Sequence, residues 1–332
     1  MDQFSAHLDR GWDLVQRGDS AGAEVSARRA LELDSQSPEA YNLLGYVCAL
    51  QGEFEEAVEH YRQAIALDDT YLEAMLNAAE VYIHPLGDFD GAIDMCDQAL
   101  DLAENDDELV DALLLKFDAL IGKNELEQAK LLARSFPRGP FENPNHLFLV
   151  GRAYYEVGDV ERAAPLIEDA SRHNPENPEA AYYLGLVRDE RGDAAGATVA
   201  FLRARELDLT VPVPPWTLTR ETFEMAARRA IAALDERFRA HLREEELYVS
   251  DVPGVEVVVD GVDPRALVLL DGVAPESGED PKARIIVYQR NIERVAGAVE
   301  LVEAELKTAL EREVIATFIE PPPARPADRV LN

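Results

Sequence analysis

Small residues recur in this chain at an interval of 34. Gly11 and Gly45, Gly18 and Gly52, Ala23 and Ala57, and Ala30 and Ala64 are each one such interval apart. Gly151 and Gly185, Gly158 and Gly192, Ala163 and Ala197, and Ala170 and Ala204 keep it further on. Between these blocks Ala92 and Ala99 fall 35 positions after Ala57 and Ala64, which places a one-residue insertion near Pro85. A fourth unit, "DALLLKFDALIGKNELEQAKLLARSF", is degenerate but carries Ala129 and Ala133 at suitable places. A fixed period of this length signals a stacked repeat architecture and excludes an ordinary single-core domain over the same residues.

Each unit reads as two antiparallel helices. The small residues mark where the helices approach closely, and the mid-unit glycine ends the first helix in a left-handed conformation. A single hairpin of this kind cannot bury its apolar face, so neighbours must stack. In "AYNLLGYVCALQGEFEEAVEHYRQAIALD" and "HLFLVGRAYYEVGDVERAAPLIEDASRHNP" the pattern resembles the tetratricopeptide repeat family. The resemblance covers about residues 4 to 210. It implies an all-α superhelix of about six units, the third and fourth degenerate, that holds a partner segment on the face lined by the first helix of each unit. Carried over by register, that face holds Trp12, Asn42, Tyr46, Glu80, Phe148, Arg152, Tyr155, Tyr182 and Asp189, with Leu8, Leu76 and Leu186 among them. The row is aromatic and acidic. Some members of the family clamp a partner's terminal carboxylate with basic residues from these rows; here the rows supply only Arg152, which argues against such a clamp.

Charge narrows the partner further. The chain has 65 acidic and 32 basic residues, a net charge of −33. Residues 31–110 hold 20 acids and a single base, Arg62. A surface of that sign repels phosphate backbones, so a protein or peptide partner with a basic segment is expected, and nucleic acid is not. No apolar run approaches the roughly 20 residues a membrane helix needs, and "MDQFSAHLDRG" lacks an apolar signal core. The expectation is a cytoplasmic protein without membrane partners. Cys48 and Cys96 sit inside apolar helical patterns and are expected to be buried free thiols, which suits a reducing compartment.

The repeat register stops at "LDLTVPVPPWTLTR", where Pro212, Pro214 and Pro215 make residues 211–222 a linker or rigid corner. A helical pattern follows in "ETFEMAARRAIAALDERFRAHLREEE". Three short β-type runs come next, "GVEVVVDG", "ALVLLDGV" and "ARIIVYQRNI". A final helix spans about residues 299–318, before a tail, 321–332, that reads as disordered. The order predicts a small α+β domain over 223–320, burying Val257, Val259, Leu269, Ile286, Leu306 and Leu310.

That order, with "LLDGVAP", "RIIVYQRNIE" and "TALEREVIATFIE", resembles a family of minimal bacterial zincin-like metallopeptidases. In that family a helix bearing "HEIGHHFG" holds zinc through two histidines four apart, and the glutamate beside the first acts as general base on the metal-bound water. Aligned without gaps, Arg312 and Ala316 occupy the two ligand positions, while Glu313 keeps the place of the base. Arginine stays protonated and offers no lone pair, and alanine offers no ligand. The resemblance therefore implies a degenerate, zinc-free module with no cofactor and no metal site. No phosphate loop, nucleophile elbow or close Cys/His pairing is present in the sequence.

The leading expectation is a non-enzymatic interaction scaffold with the inactive metallopeptidase-like module as a second docking surface. Its rival is a metal-dependent peptidase or hydrolase with an atypical ligand set. A third, weaker reading makes the repeats a regulatory arm that repositions the terminal module.

Overall fold

The structure is a computed structural model that describes residues 2–272 and 282–319. The expected tail at 321–332 and the end of the "LLDGVAP" run lie outside the described residues. The described chain divides into two compact units, residues 1–174 and 175–332.

Unit 1 is a stack of helical hairpins: α1 (Gln3–Gln16) with α2 (Ser20–Leu33), α3 (Pro38–Gln51) with α4 (Phe54–Leu67), α5 (Leu72–Val81) with α6 (Phe89–Leu102), α7 (Asp106–Gly122) with α8 (Leu126–Leu132), and α9 (Asn145–Glu156) with α10 (Val160–His173). Local chemistry sets the ends. The Ser37 hydroxyl accepts from the Ala40 amide ahead of α3, with Pro38 at the first position, and Asp19, Asp88 and Asp159 cap the second helices of their hairpins. Gly18 and Gly52, at φ 76° and 82°, turn the chain between helices in the left-handed region expected there.

The 34-residue period is a packing period. Ala23, Ala57, Ala92, Ala129 and Ala163 are fully buried, and so are Ala30, Ala64 and Ala99. At Gly45 a side chain would meet the Tyr61 ring at 2.7 Å and the Ala57 carbonyl at 3.0 Å, so the helices of the second hairpin touch backbone to ring. The insertion near Pro85 is taken up by a widened turn, Tyr82–Leu86, at the end of α5, closed by the Asp88 amide donating to the Tyr82 carbonyl at 2.8 Å. The fourth unit departs from the pattern because α8 is short and a proline-interrupted stretch, 137–144, follows it.

Unit 2 contains one more hairpin, α11 (Pro178–Glu190) with α12 (Ala194–Thr210), followed by a mixed α/β segment. In it α13 (Arg220–Ala232), the short α14 (Glu236–Arg239), β1 (Leu242–Ser250), the one-turn α15 (Val255–Val259), β2 (Val268–Gly272), β3 (Ala283–Tyr288), α16 (Gln289–Ala296) and α17 (Val302–Val314) succeed one another. The sheet order is β1-β3-β2, with β1 parallel and β2 antiparallel to β3. One core joins Phe223, Ala227 and Ile231 of α13, Ile285 and Val287 of β3, and Leu306 and Leu310 of α17. The first hairpin after residue 174 thus belongs to the same compact unit as this core.

Three local expectations are corrected. The helix predicted through 246 ends at Ala232, and residues 242–250 form a strand, because Leu247 and Val249 alternate into the sheet core. "VEVVV" is a helical turn with Val258 inward, while Val259, expected to be buried, is 54% exposed. On β2 and β3 the buried side chains include Val268, Leu270, Ile285 and Val287, one position out of phase with the Leu269 and Ile286 expected; that pair faces the half-covered side in register. No helix among the described residues is long and apolar enough to cross a membrane.

Candidate partner-binding groove

The first helices of neighbouring hairpins in unit 1 bring several predicted groove residues together. Trp12 on α1 and Tyr46 on α3 meet edge to face, with ring centroids 5.4 Å apart, and both remain half-exposed. Tyr46 then shares a pocket of about 220 Å³ with Asn77, Glu80 and His84 from α5 and its turn and with Ala49, Leu50 and Phe54 from the second hairpin. Glu80 is exposed at that pocket. The wall behind it is Tyr61, buried and with its phenol ionisation pushed up by that burial. An aromatic floor with a carboxylate at its rim suits the alkyl stem and cationic head of a lysine or arginine side chain.

Asn42 does something else. It is completely buried. Its amide donates to the Tyr71 hydroxyl and to Glu73 at 3.2 Å each, and its carbonyl oxygen accepts from Asn77 at 3.0 Å. These bonds tie α3 to the next hairpin and leave no polar atom turned outward, so Asn42 shapes the groove wall rather than offering a contact. Burial pushes the Tyr71 phenol up to about 12, so it stays a neutral hydrogen-bonding partner.

Arg152 is likewise engaged. Its guanidinium lies 3.2 Å from Asp118 on α7 and 3.4 Å from Glu156 one turn along α9. Burial raises the Asp118 ionisation and Arg152 counters it, which makes the pair an internal brace between neighbouring units. A guanidinium held by two carboxylates is not poised to clamp a third. Phe148 is buried at 9% exposure, and Tyr155 is half-buried. Leu8 and Leu76 pack against cores that their hairpins share with the next one.

In unit 2, Tyr182 is covered from within the chain. Its hydroxyl donates to Asp263 at 2.7 Å, and the Arg265 guanidinium sits 4.3 Å from its ring centroid. Burial, then the Asp263 carboxylate, pushes its phenol ionisation well up. Asp189 and Leu186 are half-buried on the same helix. Sequence periodicity could not reveal this, because Asp263 stands 81 residues from Tyr182, in a stretch with no repeat. Of the predicted groove residues, Trp12 and Tyr46 are thus in contact, and Tyr46 and Glu80 line one pocket.

On α17, Arg312 is exposed, Ala316 is half-buried at the start of the Ile315–Ile319 turn, and Glu313 is half-buried. Burial raises the Glu313 carboxyl above its ordinary value, and Arg312 offsets this only in part. His241 stacks its ring on Phe318, with centroids 4.8 Å apart and planes 13° from parallel. Thus a histidine remote in sequence does reach the end of this helix, as a packing partner of an aromatic ring.

A tetratricopeptide repeat profile matches residues 8–71 and 149–208, and a second one matches residues 49–109. The type IV pilus assembly protein PilF of Pseudomonas aeruginosa is 35% identical over 72 residues, 22% of this chain and 29% of PilF. The chain thus spans under a third of that relative's length in this match. A solved structure of Pseudomonas aeruginosa PilF aligns with a TM-score of 0.54 at 19% identity, over 63% of this chain and 93% of that one. The type IV pilus biogenesis factor PilW aligns at 0.53 and 14% identity, over 63% and 94% respectively. At these identities the structural likeness is one of fold. Residues 8–109 and 149–208 of this chain are tetratricopeptide repeats.

Proposed function

We propose that the chain is a non-enzymatic protein-interaction scaffold that binds a basic peptide segment on its acidic, aromatic repeat face. The observation that carries this reading is the shared pocket of Tyr46 and Glu80, on successive repeats. The local shortage of bases, with Arg62 alone in 31–110, leaves Glu80 in a field that draws cations toward it. The module over 223–320 is then a metallopeptidase relic, with Arg312 and Ala316 where imidazoles would be needed and Glu313 left without a metal-bound water to activate. It serves as a second docking surface.

Titration of fluorescent lysine- and arginine-rich peptides into the full chain, at low and high salt, tests the groove. Glu80→Lys should slow association and flatten the salt dependence, because an exposed charge acts through a screened field. Affinity indifferent to both salt and Glu80→Lys contradicts the reading. The rival, a hydrolase with an atypical ligand set, predicts chelator-sensitive proteolysis that Glu313→Gln abolishes. The scaffold predicts none.

A second reading of the biological setting is favoured by the 35% identity with PilF: the partner belongs to a type IV pilus assembly. It leaves the chemistry of the groove unchanged.

A further inference from the structure

We propose that Cys48, Glu56 and His60 form a binding site for one zinc-class divalent cation, held between α3 and α4 of the second hairpin. The ligand atoms of the three residues, one each, all lie within 4.8 Å of one another. Glu56 and His60 are four apart on α4 and so project from one face of it, while Cys48 comes from the facing helix.

The imidazole gives the clearest sign of an unfilled role. His60 Nε2 is buried and has no hydrogen-bond partner; Glu56 Oε1 stands 3.7 Å away, beyond bonding reach. A buried imidazole nitrogen without a partner is costly. Burial holds His60 below its ordinary ionisation, so its ring is neutral and carries a lone pair. The ring packs beside Tyr41, with centroids 6.1 Å apart. Cys48 is 2% exposed and unoxidised. Its burial pushes the thiol up to about 11, so without a cation it is a neutral thiol.

The donor set selects the ion. Thiolate with imidazole favours zinc or cobalt, and disfavours magnesium and calcium, which take oxygen ligands. Ligands sharing a tetrahedral zinc at bonds of 2.0–2.3 Å stand roughly 3.3–3.8 Å apart, so the set closes with about 1 Å of movement. Glu56, on the exposed side, is free to supply it. On binding, the Cys48 sulfur exchanges its proton for the cation and the proton passes to solvent. A water completes the fourth position. Glu24, Glu53 and Glu59 add negative potential around the site, and the nearby Arg28 is paired with Glu24 at 2.8 Å. The bound ion would staple the two helices of the repeat that carries Tyr46.

The test is cobalt titration of the tag-free, metal-stripped full chain, followed by absorption and then displaced by zinc. The expected result is one cobalt per chain with a thiolate-to-metal charge-transfer band, displaced by zinc and untouched by magnesium. Cys48→Ala should remove the band, and His60→Gln should weaken binding by about 100-fold or more, since even partners behind the ligands cost 10–100-fold. Cys96→Ala should change nothing. Circular dichroism checks that each variant folds, and the half-exposed His60 position gives a test that does not depend on the buried Cys48. Absence of the band, or binding that survives both Cys48→Ala and His60→Gln, overturns the proposal.

Discussion

Trp12 and Tyr46 lie one repeat apart in sequence and meet edge to face at 5.4 Å. The same register position of the first two repeats therefore brings two rings into contact. A double-mutant cycle on the two should return a coupling of about 0.5–1.5 kcal/mol in chemical unfolding. Additive losses would mean that the rings merely neighbour each other.

Gly45→Ala should destabilise the repeats by about 1–3 kcal/mol, the usual cost of overpacking. The new methyl would meet the buried Tyr61 ring at 2.7 Å, with the Ala57 carbonyl behind it. Urea unfolding measures this, and an unchanged midpoint would show that the hairpin opens freely.

Arg265 is the brace of unit 2. Its Nε and Nη2 reach the two oxygens of Asp208 at 3.0 and 3.1 Å, and its Nη1 reaches Glu179 at 2.8 Å. Asp208 is almost buried and also pairs with Arg294 at 3.0 Å. Arg265→Met should cost about 3 kcal/mol in unfolding, because it strips partners from a buried carboxylate. Arg265→Lys should recover only part of that, since an ammonium cannot reproduce the two-pronged contact.

Glu313 gives a pH test of α17. Its folded-state ionisation lies above the unfolded one because it is half-buried. Below the unfolded value the group is protonated in both states and costs nothing. As pH rises through the unfolded and then the folded value, the unfolded chain gives up its proton first and stability falls. Glu313→Gln should therefore raise the melting temperature at pH 7 to 8 and have little effect near pH 3. The same shift at both pH values would assign the effect to packing.

The repeat half was legible because one physical demand, close helix approach, recurs at a fixed interval and leaves Gly and Ala behind it. Residues such as Ala57 and Gly45 announce their packing in the sequence. Asn42 did not: its position in the register is a groove position, and only the partners on α5 and before it, Tyr71, Glu73 and Asn77, turn it inward. In unit 2 the strand 242–250 hid inside a charged, helix-favouring run, since pairing with β3 decides its conformation. The covering of Tyr182 by Asp263 and Arg265 rests on contacts some 80 residues apart, for which a local pattern carries no signal. The Cys48, Glu56 and His60 cluster needs the facing of α3 and α4 to become visible, as its members are spread over two helices.

The face around Tyr46 and Glu80 is proposed to receive a protein partner. Replacing Tyr46 by photoreactive benzoylphenylalanine in the native host, and irradiating, tests it most directly. A covalent adduct with a partner protein is expected from position 46 and should disappear when Glu80→Lys is added, with none from the same probe at Val25, which is 63% exposed on α2. An adduct from position 25 alone, or one from position 46 that ignores Glu80→Lys, would contradict it.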